Sequence, residues 1–468
     1  DHKKLYAAFD KAINSEGKPT VILIKTLKGY GLGEGSEGRN IAHQKKQMSD
    51  EERLENAARL NIPLSEPEIK DANFFVPDPK SDEVKYLKER RVALGGYQPI
   101  RFNECKKIKT PDIELFQDFL DGVDRSISTT MVLVRMMSKL LRDKEVGEYI
   151  VPIIPDEART FGMDGLFPQA GIYSPEGQQY HPVDEGTIAP YKEAKDGQIL
   201  QEGICEAGAM ASFMAAGTAY SHFELPMIPF YIFYSIFGFQ RVGDMIWACG
   251  DAMTRGFLVG GTAGRTTLNG EGTQHQDGHS HVLASIVPNL MTYDPAFAYE
   301  LAVIVREGIY RMYEKQEDIF YYVTVYNENY THPAMPKGTE EGILKGIYRL
   351  NKGSEKLMKK YKGKPIHLLG SGSIMQQVLS AQKTLEEKGI PVNVWSVTSY
   401  NLLHKDFIES KKSSQEPYLA KIMKNETGHF IAVSDFMTLL PDSLTHLFPG
   451  TFTSLGTDGY GLSEAREE

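Results

Sequence analysis

The sequence predicts an α/β protein whose parallel strands are covered by helices on both faces. Helical and strand patterns alternate from about residue 128 to residue 325. The predicted strands are continuous apolar runs without an alternating polar face, which is typical of strands buried on both sides. A strand, a turn, a helix and a second strand follow one another at residues 366–397, and this order predicts one βαβ unit.

Length and composition restrict the class of protein. The chain has 468 residues, which predicts about three domains. Its 41% hydrophobic and 24% charged residues are typical of a globular protein and exclude wholesale disorder. The formal net charge of −10 argues against a nucleic-acid partner, because neutralising phosphates requires a basic face. Cys105, Cys205 and Cys249 lie far apart and indicate neither a zinc ribbon nor a disulfide framework.

No segment predicts a membrane anchor. The longest uncharged apolar run, residues 225–239, contains two prolines and is shorter than the ~20 residues that a membrane helix needs. No signal peptide is visible. We therefore expect a cytoplasmic protein that has no membrane partner.

The first hundred residues are predicted to hold little regular structure. A helix is expected at 3–12, and the apolar run TVILIKT at 20–26 predicts a buried strand. A glycine-dense loop then runs to His43. Ser49 and Glu52 form a capping box that predicts the start of the next helix. Residues 62–99 are rich in proline and charge and predict a connecting stretch with at most one helix, at 82–91.

The middle region supplies the alternating pattern, with helices predicted at 128–142, 201–220, 239–249 and 296–314 and strands at 149–154, 226–235, 256–260 and 319–325. A second connection is predicted at 327–338.

In the βαβ unit, the GSGS turn (370–373) fits either a tight strand-to-helix turn or part of a dinucleotide-binding motif. Met375 stands where that motif needs a third small residue, which favours the turn.

Two clusters of polar residues are candidates for catalytic or metal-binding roles. His275, His279 and His281 share one glycine-containing segment, which fits either a zinc site or a polar loop with histidines in acid–base roles; their spacing matches no usual zinc motif and favours the loop. Glu202 and Glu206 lie four residues apart on the helix predicted at 201–220. Glu206 has small and apolar helical neighbours, so its carboxylate is expected to need a partner.

Two further segments follow predicted strands directly. Asp156, Glu157 and Arg159 come after the strand at 149–154, where parallel sheets bind ligands, although a structural ion-pair cluster remains an alternative. The aromatic segment from Tyr234 to Phe239 follows the next strand. It fits either the floor of a pocket for a planar ring or a part of the core.

Taken together, these segments resemble the homodimeric pyruvate dehydrogenase E1 component, a thiamine-diphosphate enzyme of the transketolase-like fold. The resemblance spans nearly the whole chain. It is carried by IKTLKGYG (24–31), EGRNIAHQ (37–44), PDEARTFGM (155–163), GQILQEGI (197–204) with Glu206, PFYIFYSIFGFQR (229–241), RTTLNGEG (265–272) running on to His281, and NENY (327–330).

The resemblance implies roles for residues around the coenzyme. Glu206 matches the glutamate that hydrogen-bonds the aminopyrimidine N1′ and promotes its imino tautomer, and Phe237 matches the aromatic residue that packs on that ring. Residues that match groups around the bound 2-oxo acid or in the acidic active-site channel are Tyr234, His275, Glu271, Asp156 and Glu157.

The resemblance also assigns a mobile loop. Glu37, Asn40 and His43 match the loop that orders over the reaction intermediate, and Lys28 lies where the family has an active-site lysine. His43 matches the histidine that is linked to acyl transfer onto the lipoyl group. The glycines before it are consistent with a mobile lid.

One family feature is missing. Thiamine-diphosphate enzymes carry a GDG motif, followed by Asn, that holds Mg²⁺ and the diphosphate. Here Gly250-Asp-Ala252 breaks that motif, and Thr457-Asp-Gly459 lacks its first glycine. The chain also begins without Met. We therefore expect an internal fragment whose Mg²⁺ ligands, none of them in this chain, lie in a preceding segment.

The expected domains are a diphosphate-domain tail with linker (1–105), a pyrimidine-binding domain (106–335) and an incomplete transketolase-like C-terminal domain (336–468).

The implied function is that of a pyruvate dehydrogenase E1 component. It would use thiamine diphosphate and Mg²⁺ to decarboxylate pyruvate and acetylate the lipoyl domain of the E2 acetyltransferase, as a homodimer. Two alternatives remain at this point. The chain is an inactive dimerisation or binding module, or it serves an enzyme that acts on another 2-oxo acid or a sugar.

Overall fold

The computed structural model describes residues 1–97, 105–155, 158–183, 191–268 and 271–464. The chain divides into two compact units, Asp1–Ile100 and Arg101–Glu468. In the part of the chain that is described, no helix is both long and apolar enough to cross a membrane.

The first unit consists of helices and turns. Its α-helices are α1 (His2–Ile13), α2 (Asp50–Arg59), α3 (Glu66–Lys70) and α4 (Asp82–Ala93). The predicted capping box is confirmed, because Glu52 N donates to Ser49 Oγ and Ser49 N donates to the Glu52 carboxylate. The connecting stretch contains two helices, α3 and α4, rather than the single one predicted.

The strand predicted at 20–26 is wrong. These residues are irregular and exposed, with Val21 at 82% and Leu23 at 93% exposure. A strand requires a neighbouring strand to satisfy its backbone hydrogen bonds. The described part of this unit, residues 1–97, contains no strand, so the β-branched run has nothing to pair with.

The second unit carries the α/β architecture. Its α-helices are α5 (Gln117–Leu120), α6 (Thr129–Leu140), α7 (Phe167–Ala170), α8 (Glu206–Phe223), α9 (Ser235–Asp251), α10 (Ser280–Ala284), α11 (Ala298–Ile309), α12 (Glu340–Lys345), α13 (Glu355–Lys360), α14 (Met375–Glu387), α15 (Tyr400–Ser413), α16 (Tyr418–Met423) and α17 (Leu439–Asp442). Its strands are β1 (Val123–Ile127), β2 (Ile150–Ile154), β3 (Ile172–Tyr173), β4 (Glu193–Ala194), β5 (Leu200–Gln201), β6 (Ile228–Tyr234), β7 (Phe257–Gly261), β8 (Leu290–Tyr293), β9 (Phe320–Thr324), β10 (Tyr330–His332), β11 (Tyr348–Asn351), β12 (Ile366–Gly370), β13 (Val392–Ser396), β14 (His429–Val433) and β15 (Thr451–Leu455).

The larger sheet is parallel throughout. Its strand order is β5-β2-β6-β7-β9-β8, and each neighbouring pair runs parallel. Every residue of β7 and β9 is buried, which explains why these strands read as continuous apolar runs. The predicted α/β class is therefore confirmed. Strand β8 was not predicted, because its four residues, LMTY, are too few to show a pattern.

The smaller sheet has the order β11-β13-β12-β14-β15, in which only the β11–β13 pair is antiparallel. Strands β12 and β13 with α14 form the predicted βαβ unit. Gly372 in its turn has φ +48°, and a Cβ there would lie 2.5 Å from the Tyr326 hydroxyl. The glycine is thus required by a tight turn against a neighbouring side chain, without reference to a nucleotide.

A buried carboxylate joins the two sheets. Glu300 on α11 is fully buried and accepts hydrogen bonds from Tyr348 Oη and Ser396 Oγ, each at 2.6 Å, and from the backbone N–H groups of Ala296 and Phe297. Burial raises the pKa of Glu300, and these hydrogen bonds oppose that rise. Since Tyr348 and Ser396 belong to β11 and β13, Glu300 connects the C-terminal sheet to the helices of the larger one.

Candidate active site

The segments of the second unit that carry the predicted site residues follow the carboxyl ends of parallel strands. Tyr234 is the last residue of β6, and α9 begins at the next residue. Glu206 follows β5, and His275 lies in a 3₁₀ turn, Thr273–His275, after β7. This edge is where open parallel sheets bind ligands, so the sheet itself brings the three side chains to one side.

An aromatic cluster forms at this edge. The rings of Tyr234 and His275 stack with centroids 4.8 Å apart and an interplanar angle of 21°. Phe237 meets both rings edge-on, at 5.8 Å from Tyr234 and 5.9 Å from His275, and Phe161 packs 5.5 Å from Tyr234. Tyr234, Phe237 and His275 are each half-buried. The structure thus brings together three of the residues that the sequence predicts for the site.

A carboxylate pairs with the histidine of this cluster. Glu271 Oε2 lies 3.1 Å from His275 Nδ1, close enough for an ion pair when the imidazole is protonated, although the angle is not that of a hydrogen bond. The ring of Tyr234 stacks on the imidazole, and the ring of Phe237 contacts it edge-on. The Glu271 carboxylate is therefore near enough to help position the imidazole of His275.

Glu206 is the first residue of its helix, whereas the sequence predicts it in the second turn of a helix that starts at residue 201. The predicted helix 201–220 begins only at Glu206, because Gly203 takes φ +74° and Cys205 caps the helix by accepting from Gly208 N. Glu202 precedes the helix and bonds to the hydroxyl of Ser212, so the two carboxylates are not an i, i+4 pair. Glu206 thus stands at the positive end of the α8 dipole, which stabilises negative charge.

The partner that Glu206 was expected to need is Arg241. Arg241 Nη1 donates to Glu206 Oε1 at 2.7 Å, and the carboxylate side chain is only 12% exposed. The guanidinium carbon also lies 3.8 Å from the centroid of the Phe237 ring. The same cation therefore contacts two of the residues that the sequence assigns to the coenzyme.

The three histidines do not converge. His275 joins the aromatic cluster, His279 Nε2 lies 2.6 Å from Gln240 Nε2, and His281 is buried with Nε2 at 3.0 Å from Thr324 Oγ1. Across the described ranges, no group of three or more His, Cys, Asp or Glu side chains is arranged to hold a metal ion. The zinc alternative is therefore not supported by the described residues.

Buried histidines predict a loss of stability in acid. Burial lowers the pKa of His281, His332 and His367 below the ordinary value of 6.5. Below that value the unfolded chain takes up protons that the folded chain does not bind. The free energy of unfolding is therefore expected to fall as the pH drops from 7 to 5, by up to about 1.4 kcal/mol per pH unit for each histidine.

Thermal melts across this pH range measure the effect. A His281→Gln variant is expected to show a shallower slope of melting temperature against pH than the wild type. The exposed His446 supplies the control, since His446→Gln should leave the slope unchanged. Equal slopes in the wild type and His281→Gln would contradict the assignment of His281 to this effect.

The first unit carries the residues assigned to the loop. Lys28 Nζ lies 2.7 Å from His43 Nδ1, and Asn40 opens the 3₁₀ turn Asn40–His43. Glu37 accepts from Gly31 N at 2.8 Å and from Arg59 Nη1 at 2.7 Å, and these bonds lower the pKa of Glu37. Lys28 and His43 are thus brought together, whereas Glu37 is tied to an arginine of α2.

Two predicted site residues lie outside the described residues. Asp156 and Glu157, assigned to the acidic channel, follow β2 at positions whose structure is not described. The prediction for them stays a prediction.

Two arginines that contact predicted site residues, one in each unit, were missed by the sequence reasoning. Arg241 stands four residues after Phe237, a spacing that places two side chains on one face of a helix, and this signal could have found it. Arg59 is separated from Glu37 by 22 residues along the chain, and no local pattern connects them.

Comparison with solved structures identifies the fold. The structure of transketolase from Campylobacter jejuni superimposes with a TM-score of 0.66 at 18% sequence identity, covering 100% of this chain and 63% of that one. A transketolase from Leishmania mexicana gives a TM-score of 0.62 at 15% identity over 100% of this chain and 62% of that one. The fold is therefore transketolase-like α/β.

Sequence comparisons identify the family within that class. Residues 111–333 match the model of the pyruvate dehydrogenase E1 component middle domain, and residues 346–468 match the transketolase-like C-terminal domain. The pyruvate dehydrogenase E1 component of Pseudomonas aeruginosa is 51% identical over 100% of this chain and 54% of its own length. That of Escherichia coli K12 is 48% identical over 100% of this chain and 53% of its own length.

The chain belongs to the pyruvate dehydrogenase E1 family, which confirms the resemblance found in the sequence. It spans about half the length of the curated relatives that it matches.

Proposed function

We propose that this chain carries part of the active site of a thiamine-diphosphate-dependent pyruvate dehydrogenase E1 component. The protein would decarboxylate pyruvate oxidatively and acetylate the lipoyl group of the E2 acetyltransferase. The observation that supports this most strongly is the grouping of Glu206, Phe237, Tyr234 and His275 at the carboxyl edge of the parallel sheet, in a chain of this family.

The residues fit an aminopyrimidine ring. Such a ring requires a hydrogen-bonding carboxyl group for its nitrogen and an apolar surface for its face. Glu206 and Phe237 supply these groups close enough together that the flat guanidinium of Arg241 contacts both. A planar, nitrogen-bearing group is thus already accommodated between them.

When bound, thiamine diphosphate supplies the thiazolium carbon that attacks the 2-oxo acid and accepts the electrons released on loss of CO₂. Glu206 would hold and exchange a proton with the pyrimidine N1′ through its carboxyl oxygens, and Phe237 would support the ring. His275, oriented by Glu271, and Tyr234 would contact the substrate. The hydroxyl and imidazole can donate to the substrate oxygens, and the aromatic neighbours exclude water from them.

The remaining roles follow from the family resemblance. Within the proposal, His43 serves acyl transfer to the lipoyl group, and Lys28, Glu37 and Asn40 belong to the loop that covers the reacting groups. Asp156 and Glu157 are assigned to the acidic active-site channel, and Asp156 is also assigned to coenzyme binding. The contact between Lys28 Nζ and His43 Nδ1 at 2.7 Å supports a shared role for these two side chains.

The wider assembly is part of the same proposal. It comprises Mg²⁺ bound with the coenzyme, a homodimer, an E2 partner carrying the lipoyl domain, and a cytoplasmic location. We also propose the domain division 1–105, 106–335 and 336–468.

A substrate panel tests the reaction. The natural full-length protein, supplied with thiamine diphosphate and Mg²⁺, is expected to reduce an artificial electron acceptor with pyruvate faster than with branched or longer 2-oxo acids or with sugar phosphates. Preference for another 2-oxo acid would change the substrate within the family. Turnover of a ketose phosphate alone would overturn the proposal.

A further inference from the structure

A carboxylate of the C-terminal sheet bonds to the segment that carries His275. That segment leaves β7 and is described at residues 262–268 and 271–279. Asp435 follows β14 and is 1% exposed. Its carboxylate accepts hydrogen bonds from Arg265 N at 3.0 Å, from Thr266 N at 3.2 Å and from Thr266 Oγ1 at 3.0 Å. The C-terminal sheet thus holds the start of a segment that belongs to the candidate active site.

The close approach of this carboxylate depends on a glycine. Gly264 takes φ +83°, a conformation that favours glycine, and a Cβ there would collide with Asp435 Oδ2. The bond from Arg265 N is buried, so water does not readily replace the carboxylate as its acceptor. Removing an acceptor oxygen would therefore force the backbone at residues 264–266 to move.

The other end of the segment is held at the same place. Asp277 N donates to Gly264 O at 3.1 Å, and Met437 N donates to Gly278 O at 2.7 Å. The segment is thus a loop that is closed at its base, and His275 lies two residues from that closure. A shift at the base is expected to reach the imidazole.

We propose that Asp435 is a positioning residue, which fixes the place of the His275 imidazole by bonding to the start of its segment. This inference rests on the proposed function, because that function gives His275 its contact with the substrate. Asp435 acts through the backbone of the segment and does not itself meet the substrate.

The composition of the segment explains why it needs an anchor. Gly264, Gly272 and Gly278 leave its backbone few conformational restrictions of its own. A group that bonds to a substrate must be held closely, since a displacement of about 1 Å can lower a rate by ~10²-fold. A buried carboxylate that accepts three hydrogen bonds supplies such a restriction.

Replacing the carboxylate with an amide tests the inference. Both oxygens of Asp435 accept hydrogen bonds, so in Asp435→Asn an NH₂ group faces a donor in either orientation of the amide. In the natural full-length protein with thiamine diphosphate and Mg²⁺, kcat/KM for pyruvate is expected to fall at least about tenfold. The dissociation constant for the coenzyme, measured by calorimetry, should change by less than about twofold, because Glu206 and Phe237 lie on other elements.

A second buried carboxylate supplies the matched control. Glu300 also accepts from backbone N–H groups and hydroxyls, but it bonds to other parts of the fold. Glu300→Gln should lower the free energy of unfolding as Asp435→Asn does, yet keep kcat/KM for pyruvate within about twofold of the wild type. An equal fall in kcat/KM in both variants would show a general loss of stability and contradict the inference.

A milder variant serves if Asp435→Asn does not fold. Thr266→Val removes one donor to the carboxylate, and it should lower kcat/KM for pyruvate about two- to fivefold. Thr267→Val removes the neighbouring hydroxyl, which contacts Ala263 O at 3.5 Å instead, and should leave kcat/KM unchanged. Equal values in these two variants would contradict the role of Asp435.

A double variant shows whether the effect passes through His275. In a His275→Ala background the imidazole is already absent, so adding Asp435→Asn should change kcat/KM by less than about twofold. A full tenfold fall there would show that Asp435 acts on some other group and would overturn the inference.

The outcomes separate this inference from the proposed function. If the wild type oxidises pyruvate and Asp435→Asn folds and keeps kcat/KM within about twofold, the inference is contradicted while the proposed function stands. If the wild type with bound coenzyme does not act on pyruvate, the proposed function fails and the inference fails with it.

Discussion

Replacing Glu206 with glutamine is expected to lower the rate of pyruvate oxidation by the full-length protein at least about a hundredfold. The physical reason is that glutamine keeps the size of the side chain but cannot exchange a proton with a ring nitrogen, and proton transfer by a positioned group typically contributes ~10²–10⁴ to a rate. The measurement is the steady-state rate at saturating pyruvate, thiamine diphosphate and Mg²⁺.

Two variants test whether the loss of rate comes from the Glu206 carboxyl group itself. One removes an unrelated carboxylate, and the other removes only the ion pair with Glu206. Glu409→Gln removes an exposed carboxylate that pairs with Lys412 on α15, and it should retain the wild-type rate. Arg241→Met breaks the ion pair but leaves Glu206 in place, so it should retain most of the rate. A wild-type rate in Glu206→Gln would show that this carboxyl group does not carry the assigned role.

The largest loss of stability is expected from Glu300→Ala. The substitution removes the acceptor of four hydrogen bonds, from two hydroxyls and two backbone N–H groups, and leaves a cavity where the buried side chain was. Buried groups that lose their partner cost about 1–3 kcal/mol each, although neighbouring effects do not add fully. The free energy of unfolding should fall by about 3–5 kcal/mol in denaturant titrations.

A glutamate on the surface provides the comparison. Glu355 on α13 pairs only with Lys352, and both side chains are largely exposed. Glu355→Ala should change the free energy of unfolding by no more than about 0.5 kcal/mol. If Glu300→Ala also cost less than about 1 kcal/mol, the four hydrogen bonds would not be contributing as the geometry indicates.

The sequence predicts those strands that are buried on both faces, because such burial requires a continuous run of apolar residues. The strands β6, β7 and β9 are apolar on both faces, and their apolar runs predict their ends to within one or two residues. The run at 20–26 has the same local pattern and forms no strand. Propensity describes the segment itself, whereas a strand also depends on a neighbour that lies elsewhere.

The site was predictable in its residue types and less so in its contacts. Tyr234, Phe237 and His275 meet because β6 and β7 are adjacent in the sheet, which helix–strand alternation already suggests. The start of α8 depends on the backbone conformation of Gly203, and the predicted helix overlooked it. The pairing of Glu206 with Arg241 joins residues 35 positions apart, and only the packing of α8 against α9 brings them together.

The most direct test of the central assignment is acetylation of a lipoyl domain. The full-length protein is incubated with pyruvate, thiamine diphosphate, Mg²⁺ and an isolated lipoylated E2 domain, and the mass of that domain is followed over time. We expect a pyruvate-dependent acetyl adduct that forms with the wild-type protein and is reduced at least about a hundredfold with Glu206→Gln. A lipoyl domain that stays unmodified by the wild type while coenzyme is bound would contradict the assignment.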